Sequence, residues 1–304
     1  MFREGFVNSA GVRLHYLDWG GSGRPMVLLA GLGSTAHIFR ELAPRLRSRH
    51  RVLALTRRGH GRSDRPESGY DLDTLVSDIH HFLDEMGIDR PILVGHSFGG
   101  VEMPLFAKYY PARVESIVFL DAVFPRSVPV PDLSGDPTWS VNPTEPATED
   151  MASRAAYMSY YQRFRPDLAR ILGEAVEADV MEYITIKDDE SVKDTRDNEL
   201  LNGIYVDIWS QLPEFSEADA PMLAIVPDGD YHPSAPLDAT VDLCEKADQY
   251  WMDTLRPWIR ARTSAFQQEA PQAQIVTLDS PNHHIFIDKQ DATVQAMDDF
   301  LGSQ

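Results

Sequence analysis

The chain has 304 residues, of which 43% are hydrophobic and 25% are charged, so it is long enough to bury a large core. Its 47 acidic residues outnumber its 28 lysines and arginines and give a net charge of −19, which argues against nucleic acid and anionic membrane surfaces as partners. Cys244 is the only cysteine, so an intrachain disulfide and a thiolate metal cluster are excluded. The N-terminus has no apolar leader and there is no run of about 18 apolar residues, so we expect no membrane partner and a cytoplasmic location.

Short apolar runs alternate with helix-like segments, a rhythm typical of a parallel sheet flanked by helices. In one segment apolar side chains recur every three or four positions, which predicts a helix with one buried face. The predicted strands cover residues 25–29, 51–55, 91–94, 114–120, 222–226 and 274–278. The predicted helices cover residues 38–46, 70–88, 99–110 and 292–301.

The residues Gly95-His96-Ser97-Phe98-Gly99 form the pattern G-x-S-x-G between a predicted strand and a predicted helix. A serine hydroxyl becomes an effective nucleophile when a sharp strand-to-helix turn holds it beside a base and an oxyanion site. Gly95 and Gly99 suit such a turn, because strand and helix cross too closely for a Cβ. The pattern therefore predicts Ser97 as a nucleophile rather than as a serine in an inert glycine-rich turn.

The composition changes between residues 125 and 220. A proline-rich stretch is followed by amphipathic helical patterns, and no buried strand is predicted among them. We therefore expect a helical cap at 125–220, inserted into a core made of residues 1–124 and 221–304. A further helical segment follows the strand at 222–226 and is expected to kink at Pro257.

Several separate segments resemble the α/β-hydrolase superfamily. Besides the serine motif, they are Leu29-Ala30-Gly31-Leu32-Gly33, Arg58-Gly59-His60-Gly61-Arg62-Ser63 and Asn282-His283-His284. These resemble the family's loops after its third strand, after its fourth strand and before its terminal helix. The resemblance implies an α/β fold with a mostly parallel central sheet flanked by helices, and a reaction on a small-molecule substrate that needs no metal or organic cofactor.

The resemblance also assigns a base and an acid to Ser97, in the chain order serine, acid, histidine. His283 fits the family's histidine loop better than its neighbour His284, so we predict His283 as the base. Asp230, shortly after the fifth predicted strand, matches the usual position of the acid and is the preferred assignment. Asp121, at the end of the fourth predicted strand, matches a position used by some relatives and stays open as the alternative.

The oxyanion site implied by the resemblance consists of two backbone N–H groups, those of Leu32 and Phe98. Phe98 follows the nucleophile at the start of its helix, where backbone donors point toward developing negative charge. Leu32 lies in the loop after the first predicted strand. Many relatives carry a histidine where Ala30 stands, which leaves open what braces this loop.

Carboxylic-ester or lactone hydrolysis through an acyl-enzyme is the activity that these residues favour. Dehalogenases and epoxide hydrolases of this fold carry an aspartate where Ser97 stands, which argues against those reactions. Amide or carbon–carbon bond hydrolysis, cofactor-free perhydrolysis and hydroxynitrile cleavage are alternatives on the same scaffold. A receptor that binds a small ligand without turnover is an alternative of another class.

Aromatic side chains of the predicted cap offer walls for a substrate pocket. We predict Tyr157, Tyr161 and Trp209 as pocket residues, with His37 at the pocket mouth, although any one of them could instead pack the cap on the core. The cap's apolar residues leave a homodimer open. Substrate identity does not follow from the sequence, because helical periodicity does not define pocket shape.

Overall fold

One central sheet organises the computed structural model, which describes residues 1–212 and 214–303. In chain order the strands are β1 (Arg3–Ser9), β2 (Val12–Gly20), β3 (Arg24–Leu29), β4 (His50–Leu55), β5 (Ile92–His96), β6 (Ser116–Leu120), β7 (Ile184–Ile186), β8 (Val192–Asp194), β9 (Met222–Pro227) and β10 (Gln274–Leu278). The order across the central sheet is β1-β2-β4-β3-β5-β6-β9-β10. Strand β2 pairs antiparallel with β1 and β4, and all pairs from β4 to β10 are parallel. The predicted α/β fold with a mostly parallel sheet is confirmed.

Helices cover both faces of this sheet. In chain order, the helices of the described residues are α1 (Ala43–Leu46), α2 (Leu72–Glu85), α3 (Gly99–Tyr109), α4 (Arg154–Phe164), α5 (Pro166–Ala169), α6 (Glu174–Met181), α7 (Asn198–Trp209), α8 (Val241–Tyr250), α9 (Arg256–Glu269), α10 (Ile285–Asp288) and α11 (Gln290–Gly302). The segment predicted as one helix at 38–46 is instead a 3₁₀ turn, Ala36–Phe39, followed by the short α1. None of the helices in the described part of the chain is long and apolar enough to cross a membrane.

Helix α2 shows how local chemistry sets an element's bounds. The side chain of Asp71 accepts a hydrogen bond from the Thr74 N–H at 2.9 Å and so caps the N-terminus. Gly87, with φ of +62°, ends the helical conformation. The apolar stripe that predicted the helix is buried against the sheet, with Ile79 and Phe82 at 1% exposure or less.

The hydrophobic core lies on both faces of the central sheet, because successive side chains of a buried strand point to opposite sides. In β5, Leu93 belongs to the cluster under α2 and α3, and Val94 to the cluster under α11. Both side chains are fully buried. The parallel strands therefore read as continuous apolar runs in the sequence.

The segment inserted between β6 and β9 of the central sheet contains α4 to α7, short 3₁₀ turns and one small hairpin. The hairpin joins β7 and β8, and most of its residues are half-buried or exposed, so it is not one of the buried strands that the sequence analysis looked for. Each of its strands has three residues, which is too short to show an alternating pattern in the sequence. The side chain of Val192 in β8 is nonetheless buried.

The predicted irregularity near Pro257 takes the form of a π turn. Residues Trp251–Leu255 form this turn between α8 and α9, and Pro257 follows in the first turn of α9, where no N–H donor is required. The indole Nε1 of Trp251 donates to the Gly229 carbonyl oxygen at 3.0 Å. This contact holds the π turn against the loop after β9.

We expect Gly99→Ala to destabilise the protein and Gly203→Ala to stabilise it. A Cβ on Gly99 would lie 2.3 Å from the Leu29 carbonyl oxygen, so β3 or α3 must move, at a cost of about 1–3 kcal/mol. Gly203 is exposed in α7 with no atom within 4 Å of an added Cβ, so alanine should add about 0.5–1 kcal/mol through helix propensity. Denaturant unfolding of both variants measures this, and equal effects in the two would contradict the packing at the strand–helix crossing.

Candidate active site

Ser97 occupies a sharp turn between β5 and α3. Its φ is +51°, in the left-handed region that residues with a side chain rarely adopt. Its N–H donates to the Leu120 carbonyl oxygen at 3.3 Å, and its own carbonyl oxygen accepts from the Gly100 N–H at 2.9 Å. The side chain remains partly exposed and lines a cavity. A strained residue anchored on both sides is the arrangement that a nucleophilic serine requires.

His283 lies in the loop between β10 and α10 and lines the same cavity as Ser97. Its Nδ1 is 2.5 Å from Oδ2 of Asp121, and 36% of its side chain is exposed. Its carbonyl oxygen accepts a hydrogen bond from Nε2 of His96 at 3.1 Å. That bond ties the histidine loop to the end of β5, next to Ser97. Because Asp121 engages Nδ1, Nε2 is the ring nitrogen left to act as a base.

The carboxylate that contacts His283 is Asp121 and not Asp230, which corrects the preferred assignment of the acid. Asp121 directly follows β6, with φ of +46°, and its side chain is 3% exposed. Asp230 is exposed. The reason lies in Gly229, where an added Cβ would be 2.3 Å from the Pro281 nitrogen. The chain passes directly against the histidine loop at this glycine, and Asp230 emerges on the surface.

Asp228, the other carboxylate after β9, is also engaged elsewhere. Its N–H donates to the Leu278 carbonyl oxygen at 3.0 Å, which continues the pairing of β9 with β10. Its side chain accepts from Arg256 at 2.6 Å and from Arg260 at 2.7 Å. Asp228 therefore anchors α9 to the sheet.

Asp121 is ionised although it is buried. Burial acts to raise the pKa of its carboxyl group, but the Arg262 guanidinium and His283 together lower it by more, so the pKa lies below its usual value. Burial also lowers the pKa of the neighbouring His96 and His284 rings well below 6.5. Both rings are neutral at pH 7. Among these three histidines, His283 alone combines exposure to the cavity with a carboxylate partner.

Two backbone donors adjoin Ser97. An added Cβ on Gly31 would lie 3.1 Å from the Cβ of Ser97, so the loop carrying Leu32 passes directly beside the nucleophile. Phe98 immediately precedes α3. Within residues 1–212 and 214–303, we find no protein acceptor for the N–H of Leu32 or of Phe98. Both donors are free to meet a developing oxyanion.

Arg57 braces the loop at Ala30, where many relatives carry a histidine. Its Nη2 donates to the Ala30 carbonyl oxygen at 3.1 Å and to Glu102 of α3 at 2.7 Å. Its guanidinium lies 4.5 Å from the ring centroid of Phe98. His60 adds a second brace, since its Nε2 accepts from the Gly33 N–H at 3.1 Å. Arg57 could not be predicted from the sequence, because a single buried arginine leaves no periodic signal.

The cavity that contains Ser97 and His283 has a volume of about 330 Å³. The predicted pocket residue Trp209 lines it. The other aromatic residues that line the cavity were not predicted from the sequence. They are Phe124, Tyr205, Trp251 and Trp258. The cavity also contains a second buried histidine–carboxylate pair, in which Nε2 of His232 is 3.1 Å from Oδ2 of Asp136.

The other three predicted pocket residues do not line this cavity. Tyr157 is buried, and its hydroxyl donates to Asp194 at 2.5 Å. Tyr161 is buried in the same cluster. His37 is buried as well, with Nε2 3.3 Å from Glu182 of α6. Tyr157 and Tyr161 thus belong to the apolar cluster that joins the inserted segment to the core, and His37 contacts the same segment from the core.

Outside the cavity of Ser97, one cluster of side chains has the residue types that bind metal cations. One ligand atom from each of Glu4, His15 and His37 lies within 4.8 Å of the others. The guanidinium of Arg62 already donates to Glu4 at 2.8 Å and to Glu182 at 2.9 Å. Burial lowers the pKa of His15 to about 4 and that of His37 to about 3, so both rings are neutral. Arg62 thus supplies the positive charge that these carboxylates require, and the cluster joins β1 to the inserted segment.

The protein is similar to known proteins in both sequence and structure. The family model described as the alpha/beta hydrolase fold matches residues 24–197. The chain is 34% identical over 122 residues to epoxide hydrolase 4 of Mus musculus (39% of this chain, 34% of that protein) and 36% identical over 125 residues to the non-heme chloroperoxidase of Streptomyces lividans (40% and 45%). The matches thus span less than half of each relative. The solved structure of E-2-(acetamidomethylene)succinate hydrolase aligns with a TM-score of 0.73 at 20% identity, over 99% of this chain and 100% of that chain.

Proposed function

The chain belongs to the α/β hydrolase fold family, and from that premise we propose that it is a serine hydrolase of small, uncharged carboxylic esters or lactones. The observation that carries the proposal is His283, which contacts the buried Asp121 through Nδ1 and shares a cavity with Ser97. A serine, a histidine and a carboxylate that follow three strands of one sheet make up the hydrolytic triad.

In the proposed mechanism, Ser97 attacks the substrate carbonyl carbon while Nε2 of His283 takes the hydroxyl proton. The N–H groups of Leu32 and Phe98 donate to the tetrahedral oxyanion. His283 then gives the proton to the leaving alkoxide, and an acyl-enzyme forms on Ser97. Water, deprotonated by the same nitrogen, then attacks the acyl carbon. The bond to Ser97 Oγ breaks, Nε2 returns the proton to Oγ, and the acid is released. Asp121 accepts the Nδ1–H throughout and stabilises the imidazolium.

The cavity supports small and uncharged substrates. Its volume of about 330 Å³ is at the lower end for ligand pockets, and its walls are mainly aromatic and aliphatic. The charged groups that line it already have partners: Arg262 pairs with Asp121, and Asp136 pairs with His232. A substrate carboxylate would therefore enter without a free cation to meet it, which is costly in a largely apolar site.

The inserted segment at 125–220 acts as the cap in this proposal, since it supplies Asp136, Tyr205 and Trp209 to the cavity. Ser97 in place of an aspartate nucleophile argues against epoxide opening. Amide hydrolysis, perhydrolysis and hydroxynitrile cleavage would use the same Ser97. A receptor without turnover would have no need for the His283–Asp121 contact.

We expect turnover of neutral p-nitrophenyl esters, with a preference for short or aryl acyl groups. The test compares acetate, butyrate, octanoate and phenylacetate esters with the p-nitrophenyl hemiester of succinic acid, which is close in size to the longer neutral esters but anionic. The hemiester should have a kcat/KM at least about tenfold below that of the butyrate, because its carboxylate meets no unpaired cation. A folded protein that neither turns over any of these esters nor reacts with a phosphonate probe would refute the proposed function.

A further inference from the structure

Asp121 has a second partner besides His283, the guanidinium of Arg262. Nη2 of Arg262 donates to Oδ1 of Asp121, whereas His283 contacts Oδ2. The two side chains of this ion pair are 2% and 3% exposed. Arg262 belongs to α9, so a helix distant in sequence reaches the carboxylate oxygen that His283 does not contact.

The surroundings hold Arg262 in one place. Its guanidinium carbon lies 4.7 Å from the ring centroid of Phe124 and 4.7 Å from that of Trp258. Nη1 donates to the Val123 carbonyl oxygen at 3.5 Å. Because both carboxylate oxygens are bound by fixed donors, the carboxylate cannot rotate away from His283.

The other ionisable groups near this pair are either neutral or paired with one another. His96 of β5 and His284 beside His283 are buried and neutral. Arg165 and Asp167, which face the site from the inserted segment, pair with each other at 2.7 Å. On the cavity side, His232 pairs with Asp136 at 3.1 Å. Arg262 is thus the cation in direct contact with Asp121.

This contact has a consequence for proton uptake. With Arg262 present, the group of Arg262, Asp121 and neutral His283 carries no net charge, and the proton that inactivates the base makes it +1. Without the arginine the same group would pass from −1 to 0. In a buried site a positive neighbour opposes protonation of a nearby group, so we expect loss of the arginine to move the acid limb of the pH profile upward.

We propose that Arg262 is a positioning residue of the triad, which fixes the Asp121 carboxylate on His283 and extends hydrolysis to lower pH than the same triad would support without it. The proposal rests on the proposed ester hydrolysis. Arg262 affects turnover through its contact with Asp121 and not through contact with the reacting atoms.

The test is the pH dependence of kcat/KM on a neutral p-nitrophenyl ester for the wild type, R262M, R262Q and R262K. The two neutral variants should shift the midpoint of the acid limb upward by about 1 pH unit, whereas R262K, which keeps the charge, should shift it by less than about 0.3 units. We expect kcat of R262K to fall about tenfold with KM retained, because lysine lacks the planar guanidinium. A purely structural role would lower Tm or the amount of active enzyme without moving the limb.

An unmoved acid limb in a folded R262M or R262Q would overturn the proposal. If neither neutral variant folds, R262K decides, since wild-type kcat at every pH in that variant would equally overturn it. The wild type and S97A are measured first. Absence of Ser97-dependent turnover refutes the proposed function, whereas an unmoved limb in an active enzyme refutes only the role of Arg262.

Discussion

Replacing Ser97 by alanine is expected to lower kcat for ester hydrolysis by about 10⁴-fold or more. The loss is this large because alanine removes the atom that forms the acyl-enzyme, while the donors at Leu32 and Phe98 still support slow attack by water. Steady-state kinetics on p-nitrophenyl butyrate measures it. KM should change little, since the cavity walls remain.

Ser116→Ala is the matched control for this variant. Ser116 begins β6, is 1% exposed, and its hydroxyl has no hydrogen-bond partner among the described residues. Its replacement should leave kcat within about twofold, as expected for a change that removes no contact of the site. Comparable activity of the S97A variant and the S116A variant would mean that another group performs the chemistry.

Asp121→Asn is expected to lower kcat by about 10³- to 10⁴-fold, whereas Asp230→Asn should leave it near wild type. Asparagine keeps the shape of the side chain but can present an amide N–H to Nδ1, which favours the wrong tautomer of His283. Asp230 is exposed, and Nδ1 of His283 already contacts Asp121, so we expect no comparable role for the charge of Asp230. Kinetics of the two variants side by side decides between the two carboxylates.

Folding must be controlled in the Asp121 variant, because it leaves Arg262 without its carboxylate. Removing one partner of a buried ion pair costs about 3–5 kcal/mol. Thermal melts and active-site titration with a phosphonate separate this loss of stability from a loss of rate per folded molecule. A large defect in D230N together with wild-type rates in D121N would restore the assignment that the geometry overturned.

Much of the fold could be predicted from the sequence because its strands are buried on both faces. Such strands read as unbroken apolar runs, and those at β3, β4, β5, β6 and β9 were predicted within about two residues of their bounds. Strand β10 was predicted at its observed bounds, but as a buried strand, whereas its residues at the sheet edge are half-buried or exposed. The N-terminal hairpin of β1 and β2 was missed. Most of β1 is exposed and β2 carries charged and polar residues between its buried ones, so neither forms an apolar run.

Only some residues of the candidate site could be predicted from the sequence. Ser97 and His283 could be predicted because each stands in a short motif beside a strand. The choice of acid depended on the direction of the chain after β9, which is set by the packing of Gly229 against Pro281, a contact between residues 52 positions apart. Arg262 could not be predicted, since its role arises from a helix that folds back onto the end of β6.

The wall of the cavity was the least predictable part. Tyr157 and Trp209 look equivalent in the sequence, as aromatic residues of amphipathic helices. Only the tertiary packing determines that Tyr157 meets Asp194 within the inserted segment while Trp209 packs on Phe124 beside the cavity. Helical periodicity identifies the buried face of a helix and not the element that it packs against.

The central claim, that the His283–Asp121 pair activates Ser97, is tested most directly by the stoichiometry and site of reaction with a fluorophosphonate. Intact-protein mass spectrometry followed by peptide mapping should find one adduct per wild-type chain, on Ser97, and no adduct in S97A. H283A, with the same serine but no base, should react at least about 10²-fold more slowly. An adduct on another residue, or equal labelling rates in the wild type and H283A, would contradict the account.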